Sequence, residues 1–100
     1  MAFWVSAEMS KKLDGTKVKI FDIAAGGYTT TRPGVAILRS TAWGNRWVNT
    51  VISCDGVAVA QKQHGDNWGA TINAFVPAGC KLTASVGGDG GIQYFKFMEF

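Results

Sequence analysis

Residues 46–63, RWVNTVISCDGVAVAQKQ, are the stretch of sequence that decides the fold. Two runs rich in β-branched and apolar residues, 46–53 and 57–63, flank the tripeptide Cys-Asp-Gly at 54–56. Asp-Gly is favoured in the tight turns that join antiparallel strands. The stretch therefore predicts a β-hairpin.

Similar runs, separated by Gly, Pro, Asn and Asp, extend through most of the chain. In the first run, Val18 and Ile20 share one face and Lys17 and Lys19 the other, as in a half-buried strand. About eight short strands, with turn signals about every 8–12 residues, are typical of an all-β sandwich or barrel. The predicted strands are 17–23, 28–32, 35–42, 46–53, 57–63, 68–76, 81–86 and 92–100.

Length and composition indicate a single domain. The chain has 100 residues, of which 47% are hydrophobic and 17% charged, a balance that excludes disorder. A helix signal occurs only at 6–13, and a parallel β/α fold is excluded because no crossover helix separates the strands. We therefore expect a short N-terminal arm at 1–15 and one antiparallel β domain at 16–100.

The same composition argues against several partners and locations. The ten basic residues are dispersed, whereas a nucleic-acid binder usually concentrates them on one face. No run approaches the roughly 20 apolar residues of a membrane span. The N-terminus lacks the basic region of a secretory signal. We expect no nucleic-acid partner, no membrane span and no secretion, and a protein that is made and assembled in a cytoplasm.

The two cysteines, Cys54 and Cys80, are predicted to lie at the same end of the domain. If successive strands alternate in direction, their turns at 54–56 and 77–80 share one end, and the loops at 43–46, 64–67 and 87–91 share the other. A reducing compartment favours buried thiols. A disulfide stays open as an alternative, since it requires Cα atoms within about 7 Å.

The loop end gathers aromatic and planar polar side chains. Aromatic rings suit the C–H surfaces of sugars, and planar polar groups suit their hydroxyls, so this set is a candidate glycan site. The alternative is that the tryptophans anchor a core or an interface and that the polar residues form turns. The candidate residues are Trp43, Asn45, Arg46, Trp47, His64, Asp66, Asn67 and Trp68.

No set of residues indicates catalysis, a cofactor or a metal. His64, the only histidine, lacks an accompanying nucleophile motif and is expected in a turn. The glycine-rich run at 87–91 opens a strand rather than a helix, so it predicts a mobile hairpin loop and not a phosphate site. One His, two separated Cys and scattered acids do not form a metal-ligand set. We therefore expect a protein that is not an enzyme.

The last predicted strand is apolar on both faces. Phe95 and Phe97 share one face, and Ile92, Tyr94 and Met98 share the other with Lys96. This pattern predicts a second sheet on one side and another subunit on the other, although a surface can also tolerate exposed Tyr and Met. The apolar N-terminus favours the same interpretation. The candidate self-association residues are Phe3, Trp4, Tyr94 and Met98.

Three segments resemble the small jelly-roll domains of bacteriophage virion proteins. YTTTRPGV at 28–35 resembles the YTAPxDGxV opening of those domains, and WVNTVISCDGVAVA at 47–60 is similar to their NVNGVxVA strand. AFVPAGCKLTASVGG at 74–88 is similar to VPxGxxxTxxxGG, and a closing aromatic strand follows. The resemblance covers roughly residues 28–100. Such domains occur in tail-fibre tips, tail-needle knobs and head fibres.

The resemblance implies a trimeric, non-enzymatic jelly roll similar to tumour-necrosis-factor-like knobs. It would be a knob or decoration component, attached to other virion proteins of the capsid or tail and assembled in the host cytoplasm. Closed cyclic symmetry is the usual outcome for homo-oligomers. Two alternatives remain. One is a receptor-binding module that holds a host-surface glycan through the Trp-bearing loops, and the other is a protein-binding inhibitor or regulator.

Overall fold

The computed structural model describes residues 18–42, 47–64, 69–88 and 90–100, with the backbone alone at residue 64. The arm expected at 1–15 lies outside them. The described residues contain strands and no helix, so the all-β class is confirmed. None of them belongs to a helix that could cross a membrane. Their strands are β1 Lys19–Asp22, β2 Tyr28–Thr29, β3 Gly34–Ala42, β4 Val48–Cys54, β5 Val57–His64, β6 Thr71–Val76, β7 Lys81–Gly88 and β8 Gly90–Glu99.

The strands form two four-stranded antiparallel sheets that pack together as a β-sandwich, as expected. Sheet I has the order β1-β8-β3-β6, and sheet II has the order β2-β7-β4-β5. Among these strands, β4 and β5 alone are consecutive partners in one sheet. They form the hairpin predicted at 46–63, and Asp55 and Gly56 turn it with φ angles of 51° and 82°. Every other consecutive pair of strands is divided between the sheets.

Alternate residues of each strand fill the space between the sheets. β3 buries every second residue from 34 to 40, and β4 does the same from 48 to 52. Phe97 of β8 is fully buried, and the rings of Phe21 and Tyr28 pack on it with centroid distances of 5.9 Å each. Burial of one such side chain contributes about 1.5–3 kcal/mol. This interior is therefore the main source of stability.

A polar contact crosses the core between the two sheets. The Thr50 hydroxyl of β4 donates a hydrogen bond to Ser40 Oγ of β3 at 2.8 Å, and both side chains are fully buried. Ser40 Oγ in turn donates to Ala70 O and accepts from Ala70 N–H, at 3.3 and 3.2 Å. Buried hydroxyls need such partners, because an unpaired one costs about 1–3 kcal/mol.

The predicted strand at 28–32 is shorter in the structure because Thr30 bonds to a turn instead of a strand. Its N–H donates to Cys80 O at 2.9 Å, and its buried hydroxyl donates to Pro77 O at 2.7 Å. The backbone of β2 consequently leaves sheet II after Thr29. These bonds fix the turn at 77–80, where Cys80 lies.

β1 faces the core with a different residue from the one expected. Ile20 is 59% exposed, whereas Phe21 is half-buried and pairs with Phe97. Cross-strand partners lie on the same face of a sheet, so Ile20, which pairs with Met98, lies on the outer face of sheet I. The expectation was wrong because both faces of this strand carry apolar residues and alternation alone does not choose between them.

The glycine-rich run at 87–91 is not the predicted hairpin loop. β7 continues through Gly88, β8 begins at Gly90, and these two strands belong to different sheets. Gly88 has a φ of 87°, and a Cβ there would collide with the carbonyl oxygen of Trp47. At Gly90 a Cβ would meet Thr41 O in the same way. Gly88 and Gly90 therefore allow two backbones to approach closely within the strands. Glycine-rich runs also occur in loops, so the sequence pattern alone does not distinguish the two roles.

Candidate functional site

A shallow groove of about 410 Å³ lies on the outer face of sheet II, at the end where β4 begins. Asn49 is on this face because its neighbours on β4, Val48 and Thr50, are buried. The groove spans the adjacent strands β7, β4 and β5. It is lined by Trp47, Val48, Asn49, Gln63, Gly87 and Gly88.

The floor of the groove is a row of three paired residues. Asn49 of β4 pairs with Gly87 of β7 on one side and with Gln63 of β5 on the other. A Cβ at Gly87 would lie 4.0 Å from the Asn49 Cβ, which places it on the groove side without a clash. Gly87 therefore leaves the space beside Asn49 open.

Trp47 lines the groove at the end where β4 begins. Its side chain is 70% exposed, which is unusual for a residue with so large an apolar surface. Trp47 precedes β4, and its carbonyl lies against Gly88, where no side chain would fit. The close backbone contact with Gly88 thus places Trp47 at the edge of the groove.

Among the described lining residues, the polar side chains are the neutral carboxamides of Asn49 and Gln63. Gln61 Nε2 donates a hydrogen bond to Asn49 Oδ1 at 3.0 Å. This bond leaves the two N–H donors of Asn49 Nδ2 with no partner among the residues that the structure describes. A carboxamide offers both donors and acceptors. The aromatic ring can therefore pack on a flat apolar surface of a ligand, and the carboxamides can form hydrogen bonds with its hydroxyl groups.

The structure places one predicted glycan residue, Trp47, in this groove. His64 pairs with Val48 at the same end of sheet II through its backbone. Val48 also pairs with Gly88, and Ala42 pairs with Gly90, so the strand ends that flank the loops at 43–46, 64–67 and 87–91 lie together as inferred. The other predicted residues lie outside the described part of the chain: Trp43, Asn45, Arg46, Asp66, Asn67 and Trp68.

Sequence reasoning missed Asn49, Gln61, Gln63 and Gly87. The available signal was the alternation of β4, which puts Asn49 on the same face as Trp47 and opposite the apolar face. Attention to turn residues instead directed the prediction to the loops. The site that the described residues form is on a sheet face next to the loop end.

At the opposite end of sheet II, Cys54 and Cys80 form a disulfide with a Cα–Cα distance of 5.8 Å. The expectation of free thiols was wrong, and the alternative of a bridge is what the structure contains. The turns at 54–56 and 77–80 bring the two residues together as inferred. Asp55 Oδ1 accepts a hydrogen bond from Lys81 N–H at 2.9 Å and adds a second tie between the same segments.

Cys54, Asp55 and Cys80 also present three potential metal ligands within 4.8 Å of one another. Metal coordination by cysteine requires thiolates. In this structure both sulfurs are bonded to each other, so the cluster acts as a cross-link.

The predicted self-association residues Tyr94 and Met98 are half-buried on the outer face of sheet I. Lys96 Nζ lies 5.6 Å from the centroid of the Tyr94 ring and covers part of it. The bulge between Arg39 and Ser40 pairs Ile92 with buried Ser40, so Ile92 does not share the face of Tyr94 and Met98 as expected. Phe3 and Trp4 lie outside the described residues.

Met98 belongs to a row of four apolar residues that crosses the whole of sheet I. Ile20 pairs with Met98, Met98 with Val35, and Val35 with Phe75. Ile20 is 59% and Phe75 48% exposed. We call these four residues the sheet I apolar row. It is a continuous apolar strip on the face that the last strand was expected to present to another subunit.

Comparisons with known proteins give no relative from which a function could be transferred. No family model, no curated protein and no solved structure matches the chain. The chemistry of the Trp47 groove and of the sheet I apolar row is therefore the basis for functional interpretation.

Proposed function

We propose that this chain is a non-enzymatic structural protein of a bacteriophage virion, a jelly roll that forms a homotrimer and attaches to the capsid or tail. The observation that supports the architecture is the nested strand pairing: β1 with β8, β2 with β7, β3 with β6, and β4 with β5. Successive nested pairs alternate between the two sheets. This order is expected when one long antiparallel ribbon wraps into an eight-stranded jelly roll, an architecture of viral capsid and lectin domains.

The sequence supports the assignment to a virion. The segments at 28–35, 47–60 and 74–88 resemble phage virion jelly rolls. In the structure they contribute to β2 and the start of β3, to the β4–β5 hairpin, and to β6, β7 and their connection.

The sheet I apolar row supports self-association. Its four side chains form an uninterrupted strip across four strands, and two of them are about half exposed or more. Contiguous exposed apolar surface on a small domain is typical of an interface. Packing three copies through this face in a closed ring would cover the strip in each of them.

Light scattering of the purified protein tests the trimer. The expected mass is three times the 10.7 kDa of the chain. Ile20→Glu puts a charge into the apolar row and should convert the trimer to a monomer. Val57→Glu is the matched control, because Val57 is 66% exposed but belongs to sheet II. A monomeric wild type, or equal loss of mass in both variants, would refute trimerisation through the row.

Co-sedimentation with particles assembled without this protein tests the virion assignment. The full chain should sediment with such particles at a fixed ratio. A chain that lacks residues 2–13 should keep its circular dichroism spectrum and stay in the supernatant, since the arm is proposed to attach the domain. Failure of the full chain to sediment would exclude a decoration role on those particles. Sedimentation of the truncated chain would exclude the arm as the attachment segment.

The Trp47 groove favours a second candidate function, the recognition of a host-surface glycan. The supporting observation is a 70% exposed indole beside the carboxamides of Asn49 and Gln63. Titration of host glycans should change the tryptophan fluorescence of the wild type and not that of Trp47→Ala. A decoration protein can also bind cells through sugars, so the two functions are compatible. The absence of any fluorescence change across the glycans would refute this second function.

A further inference from the structure

We infer that the groove beside Trp47 binds a neutral pyranose, with one face of the sugar ring on the indole and its hydroxyls on the carboxamides of Asn49 and Gln63. This inference rests on the glycan-recognition function proposed above and specifies its ligand and its place in the fold. The ligand lies on the outer face of sheet II.

The aromatic and amide groups are arranged for a ring that is apolar on its faces and polar at its edge. Trp47 offers a large flat surface, and 70% of it is accessible. Asn49 and Gln63 are cross-strand partners, so their side chains leave the same face of sheet II next to each other. Because Gln61 already donates to Asn49 Oδ1, Asn49 meets the ligand as a donor through Nδ2. Hydroxyl oxygens accept such bonds, and carboxamide oxygens accept the hydroxyl protons.

The six lining residues that the structure describes carry no formal charge, which favours a neutral sugar. Lys62, which lies between Gln61 and Gln63 on β5, pairs with buried Thr50 and therefore belongs to the opposite face of sheet II. A sialic acid or a uronic acid would bring a carboxylate that finds no counter-charge among the lining residues that the structure describes. Such a carboxylate would gain no ion pair with these residues, whereas the hydroxyls of a neutral sugar can bond to the carboxamides.

The size of the groove limits the ligand to a short glycan unit. Its volume of about 410 Å³ is near the lower end of the range of about 300–1,000 Å³ for small-molecule sites. Gly87 keeps this space open, since a side chain at that position would stand next to Asn49 and fill the groove. The groove therefore has room for a monosaccharide or disaccharide unit.

Titrations of the full-length protein test the inference. The ligands are methyl glycosides of galactose, glucose and N-acetylglucosamine, compared with sialyllactose and methyl glucuronide. Binding is followed through the indole N–H signals of the four tryptophans in ¹H–¹⁵N spectra, where the signal missing from Trp47→Phe identifies Trp47. At least one neutral glycoside should shift the Trp47 signal at both low and high salt, and the acidic sugars should not.

Variants then locate the site. Trp47→Ala should weaken binding by about tenfold or more, as loss of an aromatic anchor does, whereas Trp47→Phe should stay within about threefold because it keeps an aromatic face. Gly87→Val should abolish binding by filling the floor of the groove. Gly26→Val is its matched control, since Gly26 also has space for a side chain and lies in the β1–β2 connection.

Each outcome supports or overturns a defined part of the inference. Binding of neutral sugars that depends on Trp47 and Gly87 supports it. Binding of acidic sugars alone overturns the neutral ligand and leaves glycan recognition intact. Neutral binding that survives Trp47→Ala and Gly87→Val overturns the location. If no sugar shifts any indole signal, both the inference and the glycan-recognition function fail.

Discussion

Breaking the Cys54–Cys80 disulfide should lower the free energy of unfolding by about 3.5 kcal/mol. The bridge joins residues 26 positions apart and so closes a loop of 27 residues, both ends counted. In the chain-entropy model such a cross-link removes about 12 cal/mol/K of entropy from the unfolded state, which is about 3.5 kcal/mol at 25 °C. Small domains have a total stability of about 5–15 kcal/mol, so the bridge should account for a large fraction.

Urea unfolding followed by circular dichroism measures this effect. The untreated protein is compared with the same protein in reductant and with the Cys54→Ala/Cys80→Ala variant. Reduction breaks the cross-link and keeps both sulfur atoms, whereas the double variant also removes the packing of Cys80, which is only 2% exposed. Reduction should therefore give the loss of about 3.5 kcal/mol, and the variant should lose slightly more. The melting temperature should fall by roughly 15–25 °C.

Two results would refute this reasoning. If untreated protein reacts with thiol reagents at both cysteines and its midpoint is unchanged by reductant, the sulfurs are not bonded. If the bond is present by intact mass but reduction costs less than about 1 kcal/mol, loop entropy does not describe its contribution. The second result would mean that the two hydrogen bonds between Asp55 and Lys81 hold the 54–56 and 77–80 turns together without the cross-link.

Three further predictions concern the packing of the sandwich. Gly88→Ala should lower the free energy of unfolding by more than about 2 kcal/mol, because its positive φ and its contact with Trp47 O both oppose a side chain. The control Gly26→Ala should be nearly neutral, and equal urea midpoints for the two variants would contradict this prediction. Thr50→Val should lower the free energy of unfolding by about 1–2 kcal/mol, because it removes the hydroxyl that donates to Ser40. An unchanged urea midpoint would show that this hydrogen bond is not stabilising. Lys96→Met should lower the free energy of unfolding by less than about 1 kcal/mol, since the Lys96–Asp22 pair at 3.5 Å is open to solvent, with Lys96 40% and Asp22 80% exposed. A larger loss that high salt abolishes would contradict this prediction.

Features of the fold that depend on local sequence were predictable. Asp55 and Gly56 form the turn that their types favour, and the flanking strands follow within a residue or two. Alternation placed Phe95 and Phe97 on one buried face. It failed for β1, whose inward residue, Phe21, is selected by a long-range contact with Phe97.

The candidate site was less predictable because it depends on strand register. A regular two-residue turn at 55–56 would place Asn49 opposite Lys62. The irregularity between Ile52 and Ser53 shifts the pairing by one residue and places Asn49 opposite Gln63. This shift replaces a cation by a carboxamide in the floor of the groove. A bulge of this kind lacks a distinctive sequence signal here, since the added residue lies in a run of Val and Ala.

The positions of the two surfaces make self-association and ligand binding compatible. The sheet I apolar row lies at the end of sheet I where β6 leads to Cys80, and the Trp47 groove lies on sheet II at the end away from Cys54. The two surfaces are therefore on opposite faces and near opposite ends of the sandwich. The proposed trimer, packed through sheet I, would leave three grooves facing outward. Linked sites of weak individual affinity can together bind a glycan-coated surface about 10²–10⁴ times more tightly than one site alone. A shallow neutral groove, weak by itself, is thus suited to a trimeric particle component.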